Sequence, residues 1–294
     1  MLPRPYMTKQ KLTVAWTFLS MALFFASGAV AKDMDVKVQC GQDEQAGHWW
    51  NYCEYQVPGS TSKDVLYYFH GIGGSEYEWQ NFPFYDKTYS LWGNSAPTVV
   101  TVSYGSAWLL AEQNSSGVSG LYEHFIHTAL PYLETQLKLT PERRLLMGLS
   151  MGGFNASQLY LKNPELFNKV ALACPALSTV SPYASREEIA AYQQRTGALD
   201  YYIARALGLS ATYFPDEASW QTAAPVQQAQ QRTNPTYPPL FVSGGMQDQY
   251  GFQEGGKAFV DAAVANGATA KWTPVQGPHC TFDIVGNALF LLAK

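Results

Sequence analysis

The chain has 294 residues, of which 47% are apolar and 14% charged, enough for one large α/β domain with a substantial core. Its 19 basic and 23 acidic side chains give a net charge of −4 with histidines neutral. No basic run survives beyond the N-terminal segment, which speaks against nucleic acid or an anionic surface as a partner. Aromatic residues make up 14%, enough both for a core and for a pocket that stacks on flat groups.

Residues 1–31 stand apart. Arg4, Lys9 and Lys11 precede an apolar run from Leu12 to Val30, and Ala29-Val30-Ala31 is a small-x-small site. This pattern predicts a secretory signal peptide cut before Lys32, hence a secreted or periplasmic protein with no stable membrane association after cleavage. The competing reading is an uncleaved anchor, because the run nears membrane-spanning length. Cleavage leaves 16 basic and 23 acidic side chains, a net charge of −7.

Residues 32–294 read as one domain. Two alternating segments, Met34-Val36-Val38-Cys40 and Cys53-Tyr55-Val57, predict an antiparallel edge pair. Four cysteines in an exported chain point to two disulfides, the alternative being four reduced, buried thiols. Cys40 and Cys53 can pair across the hairpin, closing a loop of about 14 residues that contributes about 3 kcal/mol in the chain-entropy model. That leaves Cys174 with Cys280. Short β-rich runs follow at Val65–Phe69, Thr98–Val102, Lys169–Ala173 and Leu240–Ser243, with a weaker one at Lys271–Val275. Helical stretches near 120–137, 151–162 and 253–266, and a last one after Thr281, separate them. Such alternation builds a mostly parallel sheet with helices on both faces.

Residues 178–238 depart from this rhythm and read as a helical cap inserted between two strands, or as a surface insertion without a role at the site. Ser185 with Glu188 forms a capping box opening a helix toward Arg195, and Gly208 is expected to close a second helix, Tyr201–Leu207.

The most informative stretch is Gly148-Leu149-Ser150-Met151-Gly152-Gly153, preceded by the apolar run Arg144–Met147 and followed by a helical segment. A serine in G-x-S-x-G at a strand-to-helix turn is the signature of a nucleophile elbow. Glycines are required because the turn is too tight for side chains at 148 and 152. A serine hydroxyl needs a base to take its proton and a carboxylate to hold that base. In this type of fold the partners follow the serine as acid, then histidine. His48, His70, His124 and His127 precede Ser150; His279 follows it, in the loop after the last predicted strand. Asp248, on the loop leaving Leu240–Ser243, is the expected acid. Asp200 and Asp216 lie in the insertion, and Asp261 falls mid-helix. The alternative role for Asp248 is a helix cap.

Phe69-His70-Gly71-Ile72-Gly73-Gly74 ends an earlier strand and suits an oxyanion hole, with the amides of Ile72 and Met151 as donors. His70 is expected to brace this loop. A Cys174–Cys280 bond would pin His279 near Ser150. Trp79, Tyr104 and Trp108 are candidates for the substrate pocket.

On YYFHGIGG (67–74), ALPYLE (129–134), RRLLMGLSMGGFNAS (143–157), NPELFNKVAL (163–172), the Asp248 loop and His279, the chain resembles the putative-esterase group of α/β-hydrolases. That group includes feruloyl and acetylxylan esterases, S-formylglutathione hydrolases, siderophore esterases and mycolyltransferases. The resemblance runs from about Val65 to the C-terminus. It implies an α/β-hydrolase fold and ester hydrolysis or acyl transfer on a small-molecule ester. It also implies a Ser150, Asp248 and His279 triad, Ile72 and Met151 as oxyanion donors, and no metal or organic cofactor. The insertion is not a fixed feature of the group, so substrate does not carry over. Acyl transfer and a catalytically silent ligand-binding homologue are the competing readings.

Overall fold

Eight strands form one sheet in the computed structural model, which describes residues 35–81, 85–111, 120–232 and 236–294. The expected signal peptide and its cleavage site, with Met34, lie outside these residues. Asp33–Lys294 gathers into one compact unit.

The sheet opens with a hairpin, β1 (Lys37–Gln45) and β2 (His48–Gln56). The two residues between them, Ala46 (φ 50°) and Gly47 (φ 80°), both lie in the left-handed region, as a tight two-residue hairpin turn requires. Cys40 faces Cys53 in the register, and the two form a disulfide. Cys53 is buried, but Cys40 is exposed, because β1 is the sheet's edge and its flanking residues are open to solvent.

β3 (Val65–Phe69) is followed by α1 (Glu78–Asn81) and α2 (Tyr85–Trp92), then β4 (Thr98–Ser103). α3 (Leu121–His124) continues through a π-helical turn over Phe125–Ala129 into α4 (Leu130–Gln136). β5 (Arg144–Leu149), α5 (Met151–Lys162) and β6 (Lys169–Ala173) come next. Four helices then intervene: α6 (Arg186–Thr196), α7 (Asp200–Tyr213), α8 (Glu217–Ala223) and α9 (Pro225–Gln231). The chain closes with β7 (Leu240–Gly245), α10 (Phe252–Ala265), β8 (Ala270–Val275) and α11 (Ile284–Leu292). Strand order is β1-β2-β4-β3-β5-β6-β7-β8; β1, β2 and β4 pair antiparallel and the rest parallel.

β3, β5, β6 and β7 are buried almost throughout, as central parallel strands covered on both faces must be. Their alternation splits the core in two. Tyr67 and Phe69 join Leu146, Phe154 and Phe259 on one face, while Leu66 and Tyr68 join Trp79, Trp92 and Met147 on the other.

The capping box at Ser185 and Glu188 opens α6, and Gly197 (φ 75°) ends it. The expected stop at Gly208 is corrected: α7 runs on to Tyr213. Gly208 lies on an open helix face where a Cβ would touch nothing, so it breaks no contact, and Pro215 follows the true end. Among the described residues no helix is long and apolar enough to cross a membrane.

Candidate active site

β5 enters a turn so tight that Ser150 adopts φ 52°, ψ −111°, a costly conformation for a residue with a side chain. The surroundings hold it there. Ser150 N–H donates to Ala173 O at 3.0 Å, and Ser150 O accepts from Ala176 N–H at 2.9 Å. Glycine is obligatory on either side: a Cβ at Gly148 would lie 2.0 Å from Gly152 O, and one at Gly152 would lie 2.0 Å from Phe69 O. The turn thus presses α5 against the end of β3 and sets the Ser150 hydroxyl at the helix's positive end.

β7 delivers the carboxylate. Past Gly244-Gly245, Met246 N–H donates to Val275 O and Gln247 N–H to Gly277 O, tying this loop to the one beyond β8. Asp248 is buried. Its Oδ1 accepts Tyr250 N–H at 2.8 Å, and its Oδ2 lies 2.6 Å from His279 Nδ1. His279 N–H donates to Gln249 Oε1 at 2.8 Å, and the imidazole Nε2 lies 2.9 Å from Ser150 Oγ. A carboxylate at Nδ1 fixes the proton there and leaves Nε2 as an acceptor for the serine hydroxyl. The ring is walled by Tyr250 and Phe252, with centroids 5.0 and 5.6 Å away. Cys280, the next residue, is disulfide-bonded to Cys174 at the end of β6. The other acids are engaged elsewhere: Asp200 accepts from Gln193, Asp216 caps α8, and Asp261 pairs with Lys257.

The glycine loop after β3 faces the serine. His70 is buried, with Nε2 2.8 Å from Ser103 Oγ and Nδ1 2.7 Å from Gly71 O, so it braces the loop away from the imidazole of His279. Gly71 N–H donates to Glu78 Oε1 at 2.9 Å, and the same oxygen accepts the Tyr68 hydroxyl at 2.7 Å. Burial, with the Glu78 carboxylate beside it, raises the Tyr68 phenol well above its ordinary range, so it stays a donor. Glu78 is a residue that sequence reasoning missed. Its one signal was an acid soon after a glycine run, at the start of a helix. Ile72 and Met151 both line the cavity above Ser150. Met151 is the first residue of α5, so its N–H has no acceptor within the helix.

That cavity holds about 300 Å³. Its floor is Gly71, Ser150 and His279. Trp108 and Phe154 line it as well, together with Tyr213, Phe214 and Trp220 from the segment between β6 and β7. Trp108 packs edge-on against Phe154 at 4.7 Å and at a tilt against Tyr213 at 6.0 Å. Of the three aromatic candidates, only Trp108 lines the cavity. Trp79 is fully buried on the opposite face of the sheet, stacked on Trp92 at 6.0 Å, and Tyr104 turns its hydroxyl to His124 Nδ1 at 2.8 Å. Among the described residues no group of three or more His, Cys, Asp or Glu side chains could hold a metal ion.

A mostly parallel sheet in this order, with a serine at the turn after β5, defines the α/β-hydrolase fold. The model of the family described as Putative esterase matches residues 50–274, and the chain belongs to that family; it is a carboxylic ester hydrolase. Among solved structures, a ferulic acid esterase superposes with a TM-score of 0.62 at 18% identity, covering 88% of this chain and 97% of its own. An esterase of Pyrobaculum calidifontis gives 0.60 at 15% identity, covering 83% and 76%. An S-formylglutathione hydrolase from Agrobacterium tumefaciens gives 0.57 at 17%, covering 89% and 94%. At such identities these likenesses concern the fold. No curated relative matches by sequence.

Proposed function

We propose that the protein is an exported serine carboxylesterase in which Ser150, His279 and Asp248 form the catalytic triad. The observation that carries this reading is the continuous chain Asp248 Oδ2 to His279 Nδ1 (2.6 Å) and His279 Nε2 to Ser150 Oγ (2.9 Å). Ser150 Oγ attacks the ester carbonyl as His279 takes its proton. The amides of Ile72 and Met151 hold the oxyanion of the tetrahedral intermediate. His279 then gives the proton to the departing alcohol oxygen, leaving an acyl-enzyme that water hydrolyses by the same relay. Asp248 holds the imidazole's tautomer and stabilises the imidazolium. The helices over 186–231 act as a cap, and Trp108, Phe154, Tyr213 and Trp220 suit an apolar acyl group.

The basic-then-apolar N-terminal segment and the two disulfides support export. Turnover of short-chain nitrophenyl esters, abolished by a serine-directed phosphonate and in Ser150→Ala, tests the chemistry. Equal rates in wild type and Ser150→Ala sink it. Sequencing the N-terminus of protein recovered outside the cytoplasm tests export; a start at Lys32 is expected.

A further inference from the structure

One charged side chain at the cavity has no part in the proposed chemistry. Arg205, on α7, lines the cavity together with Glu78 and His279, but those two are engaged in the loop and the relay. Glu78 already accepts the Gly71 amide and the Tyr68 hydroxyl. No carboxylate among the described residues lies within ion-pair distance of Arg205, whereas Arg143, Arg144 and Arg195 each have one. The groups nearest its guanidinium are phenols: it hydrogen-bonds the Tyr201 hydroxyl, one turn back on the same helix, and lies within electrostatic reach of Tyr250 and Tyr202. The side chain is exposed at the cavity's rim, so nothing hinders a solute from reaching it.

Its place relative to His279 gives the direction. Tyr250 lies edge-on to His279 at 5.0 Å, and Tyr202 lies edge-on to Tyr250 at 5.1 Å. The guanidinium thus sits beyond the catalytic imidazole on the side where Tyr250 walls it. His279 must reach the leaving oxygen to protonate it, so the alcohol portion of an ester lies on that side. Trp108, Phe154, Tyr213 and Trp220, which also line the cavity, carry no charge and suit the acyl portion.

We infer that Arg205 is a specificity-determining residue that binds a carboxylate on the alcohol portion of the ester. The inference rests on the serine-esterase reading above. A guanidinium presents parallel donors to a carboxylate, and phenols on either side supply a ring surface for a flat or cyclic alcohol between that charge and the scissile bond. An anionic alcohol would therefore gain an interaction that its neutral analogue lacks.

The test compares 4-carboxyphenyl acetate with the acetate ester of methyl 4-hydroxybenzoate in wild type, Arg205→Gln and Arg205→Glu, taking the ratio of kcat/KM values so that intrinsic leaving-group reactivity cancels between proteins. The anionic-to-neutral ratio is expected to fall about fivefold in Arg205→Gln, as for an exposed ion pair, and further in Arg205→Glu. Raising the salt concentration should narrow the wild-type ratio but leave that of Arg205→Gln unmoved. Identical ratios in all three proteins overturn the inference. An Arg205-dependent gain for 4-nitrophenyl hemisuccinate, whose charge lies on the acyl side, overturns the alcohol-side placement. Absence of turnover of either acetate in wild type counts against the esterase reading instead. Calorimetric binding of 4-hydroxybenzoate then decides the Arg205 assignment: about fivefold weaker binding to Arg205→Gln supports it, and equal affinity ends it.

Discussion

Cys280, the residue after His279, is bonded to Cys174 across a sequence separation of 106. Cys174 directly follows β6, the strand that pairs with the elbow strand β5, so the bond fastens the histidine loop to the neighbour of Ser150. Both cysteines lie at positive φ (40° and 62°), a conformation that residues with side chains hold only when their surroundings impose it.

Replacing both cysteines by serine should therefore reduce stability and turnover together. In the chain-entropy model a loop of roughly 100 residues contributes about 4.7 kcal/mol, and measured losses for native disulfides are about 2–5 kcal/mol. The double variant is expected to melt well below wild type. Where it is still folded by circular dichroism, its kcat should be about tenfold lower, because His279 samples positions out of reach of Ser150. Unchanged kcat in the folded variant would show that the hydrogen bond from His279 N–H to Gln249 is sufficient by itself.

The relay makes its members unequal. Ser150→Ala removes the proposed nucleophile, and loss on the order of a millionfold in kcat is expected. Asp248→Asn keeps the shape but offers an amide to Nδ1, favouring the wrong tautomer, and should cost on the order of ten-thousandfold. Steady-state kinetics of both variants on one nitrophenyl ester check the ranking. A mild effect in Asp248→Asn would mean that its bond to His279 is only structural.

Gly152→Ala tests the elbow's mechanics. The added Cβ would meet two backbone carbonyl groups, those of Phe69 and His70, neither of which can swing aside as a side chain would. Destabilisation of about 3 kcal/mol or more is expected, read as a lowered denaturation midpoint. At Gly208 a Cβ meets nothing within a helix, so Gly208→Ala should instead stabilise by about 0.5–1 kcal/mol. The opposite signs of the two glycine-to-alanine changes make the pair informative in one experiment.

Glu78 is expected to act through the loop rather than on substrate. Its Oε1 holds the Gly71 amide, and with it the path of the chain into Ile72. Glu78→Ala should lower kcat about tenfold to a hundredfold, with little change in KM for a small ester, because displacing the oxyanion donor proposed at Ile72 would weaken transition-state binding selectively. Glu78→Gln keeps one acceptor oxygen and should recover most of the loss. Failure of that rescue would point to the carboxylate's charge rather than its hydrogen bond.

The parts of the site legible in the sequence are those fixed by local backbone demands or by chain order. Ser150 is marked by glycines that its own turn requires, and Asp248 and His279 by following it on loops that leave strands. Glu78 was hidden because its partner is an amide seven residues earlier, met only once the loop folds back. Trp79, Tyr104 and Trp108 look alike as residues. Which one reaches the cavity depends on the face of the sheet and the loop geometry: Trp79 is packed beneath the sheet, while Trp108 lies over Phe154. The helix α7 outran its expected end because Leu209, Ser210 and Tyr213 continue the face that lines the cavity, and that tertiary contact outweighs the helix propensity of one glycine.

The segment inserted between β6 and β7 is fastened to the Asp248 loop and the start of α10, and one fastening should respond to pH. Tyr192 donates to Tyr250 O at 2.9 Å, Leu199 N–H to Gln249 O at 2.9 Å, and Gln253 to Thr196 O at 2.7 Å. Beside them Arg195 grips Glu254 with two hydrogen bonds of 2.9 Å, and Thr179 donates to the same carboxylate. Burial raises the Glu254 carboxyl, but the Arg195 and Thr179 hydrogen bonds outweigh it, and the net shift is below the ordinary value. A carboxyl depressed in the folded state adds stability that is complete above its unfolded pKa, about 4.3, and disappears as pH falls through the lower folded value. With Arg195 half exposed, the pair should contribute about 1 kcal/mol at neutral pH. Glu254→Gln should accordingly melt below wild type at pH 7, and the gap should close as the pH is lowered past 4. A gap that stays constant from pH 7 to 3 would mean that the charge on Glu254 adds nothing to holding the inserted helices.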